Sequence, residues 1–137
     1  MLSSEIIHKL KRDKSFLGCF PFDKLPELPE KLPAKLIINT GASSTAGEHW
    51  VALLMKQKSC FYFDSFGVPI MNIEIKKFLQ KKYKKVTYSE VCVQSFNSNK
   101  CGEFCISFLK MVKDRKTYIS FLKQFCNIDL SFNDNLI

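Results

Sequence analysis

Two apolar runs and the short polar break between them constrain this chain most. "HWVALLM" (49–55) and "SCFYFDSF" (59–66) flank Lys56, Gln57 and Lys58. Continuous apolar runs of this length, split by a brief polar turn, predict a hairpin of two buried strands. The rest of the chain must cover that hairpin. "AKLIINT" (34–40) and "KVTYSEVCV" (85–93) read as further strands, and 41–47, "GASSTAG", as a flexible loop. Helices are expected over 3–12, capped by Ser3 or Ser4 with Ile6, Ile7 and Leu10 on the apolar face, and over 71–84, 101–114 and 117–126. Prolines 21, 26, 29 and 33 argue that 16–33 is irregular, and 127–137 stays unassigned. This order predicts an α+β fold, with a central mixed sheet flanked by helices in a single domain over 1–137.

Composition narrows the function. A chain of 137 residues, 46% of them hydrophobic, can bury one core. No apolar run reaches membrane-spanning length, and "MLSSEIIHKLKRDK" has no apolar signal region, so secretion and a membrane partner are not expected. Without export, the six cysteines are expected to be reduced thiols rather than a disulfide framework. Cys60, Cys105 and Cys126 lie in apolar stretches and read as core, and His8 reads as a surface residue. Neither His8 nor His49 has cysteines at zinc-finger spacing, so no metal is expected.

Four polar residues stand at the ends of the buried elements. His49 opens the first hairpin strand, Asp64 closes the second, Gln94 follows the 85–93 segment and Cys101 opens a helix. Singly, each has a plain explanation. Together they fit acyl transfer by a thiolate. A helix N-terminus stabilises an anionic sulfur, and an imidazole takes and returns the proton. A carboxylate fixes the imidazole, and an amide donor meets the oxyanion. A hairpin can set Asp64 beside His49. Gln94 and the Cys101 N–H would supply the oxyanion donors. Trp50 is expected to pack near His49, and Gly102 to let a substrate backbone approach. This chemistry requires no cofactor.

These residues resemble the adenovirus protease family, the adenain-like cysteine peptidases. "FLGCF" (16–20) is similar to the family's "FLGT", "AKLIINTGASSTAGEHW" (34–50) to its strand, loop and His-Trp, and "CFYFDSFG" (60–67) to its "CYLFEPFG". "QSFNSNKCGEFC" (94–105) resembles its "QSVQGPNSAACGLFC", and the likeness runs over roughly 1–112. The resemblance implies the adenain and ubiquitin-like-protease fold. It also implies catalytic roles for His49, Asp64 and Cys101, and an oxyanion hole lined by Gln94. It further implies cleavage of viral precursor proteins, such as capsid or core proteins, during virion maturation, often after a small residue such as Gly. Activation by a short viral peptide and by DNA belongs to the same implication, as does a location in the virion and the host nucleus or cytoplasm. Asp64 stands where the adenovirus enzymes usually carry Glu; Asp is the choice of the more distant SUMO and ubiquitin-like proteases. Cys92 does not fall where the family's peptide-linking cysteine is expected. Short forms of this kind suit another DNA virus or a virus-like transposon of the Maverick/Polinton type.

The net charge is +8, and Lys76, Lys77, Lys81, Lys82, Lys84 and Lys85 fall within ten residues. Such a face is expected to bind DNA phosphates without sequence preference, by counterion release. A protease or deconjugase of ubiquitin-like proteins is the alternative within the enzyme class. A catalytically inactive DNA- or capsid-binding protein is the alternative outside it.

Overall fold

The computed structural model describes residues 1–45 and 47–137. Ala46, inside the expected 41–47 loop, lies outside the described residues. The chain runs α1 (Ser3–Leu10), β1 (Phe16–Pro21), a 3₁₀ turn (Phe22–Lys24), β2 (Ala34–Asn39), β3 (Trp50–Met55), β4 (Cys60–Phe63), α2 (Ile73–Gln80), α3 (Cys101–Met111), α4 (Arg115–Lys123) and α5 (Leu130–Leu136). The strands form one sheet in the order β1-β2-β3-β4. β1 is parallel to β2, and the other pairs are antiparallel, so the sheet is mixed and the fold is α+β, as expected.

Both faces of the sheet are covered, which explains the unbroken apolar runs. On one face Ile37, Leu54, Phe61 and Phe63 pack against Ile6 of α1, Phe104 and Phe108 of α3, and Phe121 of α4. On the other face Leu36, Ile38, Leu53 and Met55 pack against Ile75, Phe78 and Leu79 of α2. Every residue of 51–55 and 60–63 is therefore buried. In the hairpin, Ala52 lies opposite Phe63 and Met55 opposite Cys60. Lys56 N donates to Ser59 O across the turn at 2.8 Å.

Several expectations are corrected. The 16–33 stretch is not irregular throughout: its first six residues form β1. β1 is an edge strand, and its one proline, Pro21, is its last residue, a position that needs no ladder donor. Residues 85–93 do not form a strand. They touch β4 through one parallel bridge, Thr87 to Phe61. Tyr62 N donates to Thr87 O (2.8 Å), and Thr87 N to Cys60 O (2.9 Å). β4 has only four residues, so its outer edge offers no longer ladder.

Smaller differences concern the helix ends. α1 starts at Ser3, with Leu2 in the capping position and its N–H on Glu5 Oε1, and Ile7 is exposed rather than on the buried face. α2 is shorter than 71–84, because Asn72 caps it by accepting from the N–H groups of Glu74 and Ile75. Asp114 caps α4 through Thr117 N. Cys60 and Cys105 are core residues, whereas Cys126 is only half-buried.

The unassigned tail holds α5, which has a definite task. Asn133, fully buried, accepts from Cys126 N (2.7 Å) and donates to the carbonyls of Cys126 (2.6 Å) and Val93 (3.0 Å). Asp134 Oδ1 accepts from Ser95 N, and the Asp134 carbonyl accepts from Lys100 Nζ. α5 thereby grips both ends of the loop that leads to Cys101.

Candidate active site

His49, Asp64, Gln94 and Cys101 meet at one end of the sheet. His49 precedes β3, and Asp64 follows β4 by one residue. The hairpin register, carried outward, sets His49 against Phe66. His49 Nε2 lies 2.8 Å from Asp64 Oδ1, which also accepts the Phe66 N–H at 2.8 Å. Phe66 stacks on the imidazole with centroids 4.8 Å apart. The ring is thus held at one nitrogen and on one face. Its Nδ1 is left for Cys101, the first residue of α3.

The electrostatics favour an ion pair. Burial alone would lower the His49 pKa, but the hydrogen bond to Asp64 and the interaction with the Cys101 sulfur raise it to about 9. Burial would raise the Cys101 thiol. The His49 hydrogen bond, the His49 charge and backbone hydrogen bonds from Trp50 and Gly102 outweigh it and lower the thiol below its usual range. The helix N-terminus acts in the same direction. Three other thiols differ. Burial pushes Cys19 and Cys60 up to about 12, and fully buried Cys105 well above the ordinary thiol value. Cys101 is thus the candidate nucleophile among them, its thiol held below rather than above its ordinary value.

If this pair acts in peptide cleavage, it should govern the pH dependence of that reaction. The thiolate–imidazolium pair forms as pH rises through the depressed Cys101 value. It is lost as His49 gives up its proton near 9. For a peptide substrate, kcat/KM should trace a bell whose alkaline limb lies near pH 9. Asp64→Asn should move that limb to lower pH, because the carboxylate, with the Cys101 sulfur, raises His49. An alkaline limb unmoved in Asp64→Asn would contradict the assignment.

Gln94 is buried, at 1% exposure. Its Nε2 donates to Ser98 O at 2.9 Å, and its Oε1 accepts from Ser65 Oγ. Among the described residues, one N–H of the amide has no partner. Of the four residues, His49, Gln94 and Cys101 line an open cleft of about 670 Å³, walled by Gly41, Gly47 and Phe20, while Asp64 sits behind His49. Asn39 holds the glycine wall, its Oδ1 accepting from the N–H groups of Gly41 (2.7 Å) and Glu48 (2.9 Å).

Trp50 lines the same cleft as His49. Its Nε1 donates to Met1 O at 3.1 Å, and its carbonyl accepts from Cys105 Sγ. A Cβ at Gly102 would meet Met1 Sδ at 2.9 Å, so the missing side chain makes room on α3 for Met1, which itself lines the cleft. The six lysines at 76–85 are all exposed but lie on and beyond α2, on the face of the sheet opposite α3. They take no part in the cleft. Among the described residues no group of three or more His, Cys, Asp or Glu is placed to hold a metal.

Sequence reading missed Ser65, Phe66 and Asn133. Phe66 had a signal, since the hairpin register pairs it with His49. Ser65 and Asn133 had none, because their partners are set by the fold.

The model of the adenovirus endoprotease family matches residues 16–127, most of the chain. The chain belongs to that family. Within the family it is similar to the protease of Bovine adenovirus 2, at 32% identity over 113 residues, covering 71% of this chain and 50% of that protein. It is also similar to the protease of Human adenovirus B serotype 3, at 35% identity over 116 residues, covering 68% of this chain and 55% of that protein. This family member spans about half the length of the curated relatives it matches. Among solved structures it is similar to an ASFV protease, with a TM-score of 0.42 and 20% identity over 81% of this chain and 47% of that one.

Proposed function

We propose that residues 1–137 form one cysteine protease domain that cleaves viral or virus-like precursor proteins. The observation that carries this is the His49–Asp64 contact of 2.8 Å beside Cys101, the thiol whose pKa is lowered rather than raised, at the wall of one cleft. The Cys101 sulfur attacks the scissile carbonyl carbon. The resulting oxyanion meets the backbone N–H of Cys101 and the free N–H of Gln94. His49 gives its proton to the leaving amine, whose C–N bond breaks, and a thioester remains on Cys101. His49, now neutral, takes a proton from water as it attacks the thioester, and the thiolate returns.

Substrates of this kind are precursor capsid or core proteins of a virion, cut after a small residue. The enzyme would act in the virion and in the host nucleus or cytoplasm. DNA and an activating peptide are the further partners that family membership suggests. The alternative, a protease of ubiquitin-like proteins, is favoured by one feature, aspartate at position 64. Parallel assays on Gly-containing precursor peptides and on a ubiquitin-like fusion separate the two. Cleavage of the fusion alone overturns the precursor reading. Cleavage of neither, with peptide or DNA added, moves the chain to an inactive DNA- or capsid-binding role.

For DNA, the six lysines of 76–85 would act through phosphates. Replacing all six with alanine should weaken DNA binding. It should also flatten the plot of log affinity against log salt, by about 0.9 for each phosphate no longer neutralised. Titration at two salt concentrations checks this. Unchanged affinity at low salt would make the helix an ordinary solvated face.

A further inference from the structure

We infer that Ser65 is a positioning residue: its hydroxyl, with the Ser98 carbonyl, fixes the orientation of the Gln94 amide so that an N–H faces the cleft. The inference rests on the oxyanion role proposed above for Gln94. A glutamine amide is nearly symmetric in shape, yet only one of its ends can donate. If the two ends exchanged places, Gln94 would turn a carbonyl oxygen toward a developing negative charge.

The surroundings of Gln94 prevent that exchange. Ser98 O is a carbonyl and can only accept, so the atom 2.9 Å from it must be Nε2. Oε1 then faces Ser65 Oγ, which donates to it. Reversal would set two acceptors against each other at Ser98; at Ser65 the hydroxyl would accept from Nε2 instead, and its own proton would lose its acceptor. Ser65 is fully buried, so no water replaces that bond. The same residue also holds the Gln94 backbone, since Ser65 O accepts from Val93 N (2.9 Å) and Gln94 N (3.0 Å). Asn133 Nδ2 holds Val93 O from the other side.

Three consecutive residues beyond β4 thus support different parts of one site. Asp64 binds the imidazole edge, Ser65 orients the amide, and Phe66 covers the imidazole face. Ser65 does not line the cleft, so it acts through Gln94 rather than on substrate.

The test is a double-mutant cycle on peptide cleavage, with rates taken per alkylatable Cys101 so that unfolded material is not counted. Gln94→Ala should lower kcat about 100- to 1,000-fold. Ser65→Ala should lower kcat about 3- to 10-fold, with KM unchanged, because it removes one neutral hydrogen bond and leaves the substrate's own contacts in place. Ser65→Ala/Gln94→Ala should be no slower than Gln94→Ala alone. Ser65→Cys, which keeps a weak donor at similar volume, should fall between wild type and Ser65→Ala, and it carries the test if Ser65→Ala does not fold. A slow Gln94→Ala with normal Ser65 variants would overturn the Ser65 role. So would a Ser65→Ala loss that multiplies in full into the double variant, since that marks a general structural effect. A normal Gln94→Ala would overturn the oxyanion role of Gln94, and the Ser65 inference with it.

Discussion

Replacing His49 with alanine should lower kcat for peptide cleavage by about ten thousand-fold or more while leaving the fold in place. Two losses combine in this one change. Without the imidazolium, the Cys101 thiolate loses the hydrogen bond and the charge that offset its burial, so the thiol is protonated at neutral pH. The leaving amine also loses its proton donor. Neither the N-terminus of α3 nor Gln94 replaces these functions, since one offers only partial charge and the other a single neutral N–H. The fold should survive because His49 lies outside β3, and its ring stacks on Phe66 and bonds to Asp64 at the end of the sheet rather than in its core. Removal of the imidazole leaves Asp64 with the Phe66 N–H at 2.8 Å, so the carboxylate keeps a donor. Single-turnover kinetics with circular dichroism checks both halves. A variant retaining a tenth of wild-type kcat would show that the imidazole is not the base.

Phe121→Ala should lower folding stability by about 3–5 kcal/mol, the range for losing a buried aromatic side chain. Phe121 of α4 has no exposed surface. Its ring meets Phe63 of β4 edge-on at 5.3 Å and Phe108 of α3 at 5.8 Å, and Phe125 at 5.1 Å. The site depends on this cluster. Phe63 directly precedes Asp64, and α3, which carries Phe108, begins at Cys101. Phe63 and Phe108 themselves stack at 5.0 Å. A cavity at Phe121 therefore loosens the base on which carboxylate and thiol are both set. The denaturant midpoint should fall with little change in slope, and activity should fall with it above the new transition. A midpoint within experimental error of wild type would mean that the cluster closes around the missing ring.

The four candidate site residues are legible in the sequence because each is a polar residue type at the end of an apolar run. A buried hairpin leaves few places for His49 and Asp64 other than its open end. The sheet is legible from the unbroken runs of 49–55 and 59–66. What is less legible depends on neighbours remote in sequence. The prolines obscure β1, whose edge position makes Pro21 harmless. Residues 85–93 carry β-forming side chains, but the four-residue β4 gives them almost no ladder. The closeness of Gly102 to Met1 Sδ is likewise set only by the fold. Ser65 and Asn133 are ordinary polar residues whose roles exist only once Gln94 and Val93 fold against them.

The measurement that tests the central claim most directly is mass spectrometry of the protein quenched during cleavage of a Gly-containing precursor peptide, run beside Cys101→Ser. The expected result is an acyl adduct on the peptide that contains Cys101 in wild type, with neither adduct nor cleavage in Cys101→Ser. Cleavage that continues in Cys101→Ser, or an adduct on any of the other five cysteines, would contradict it.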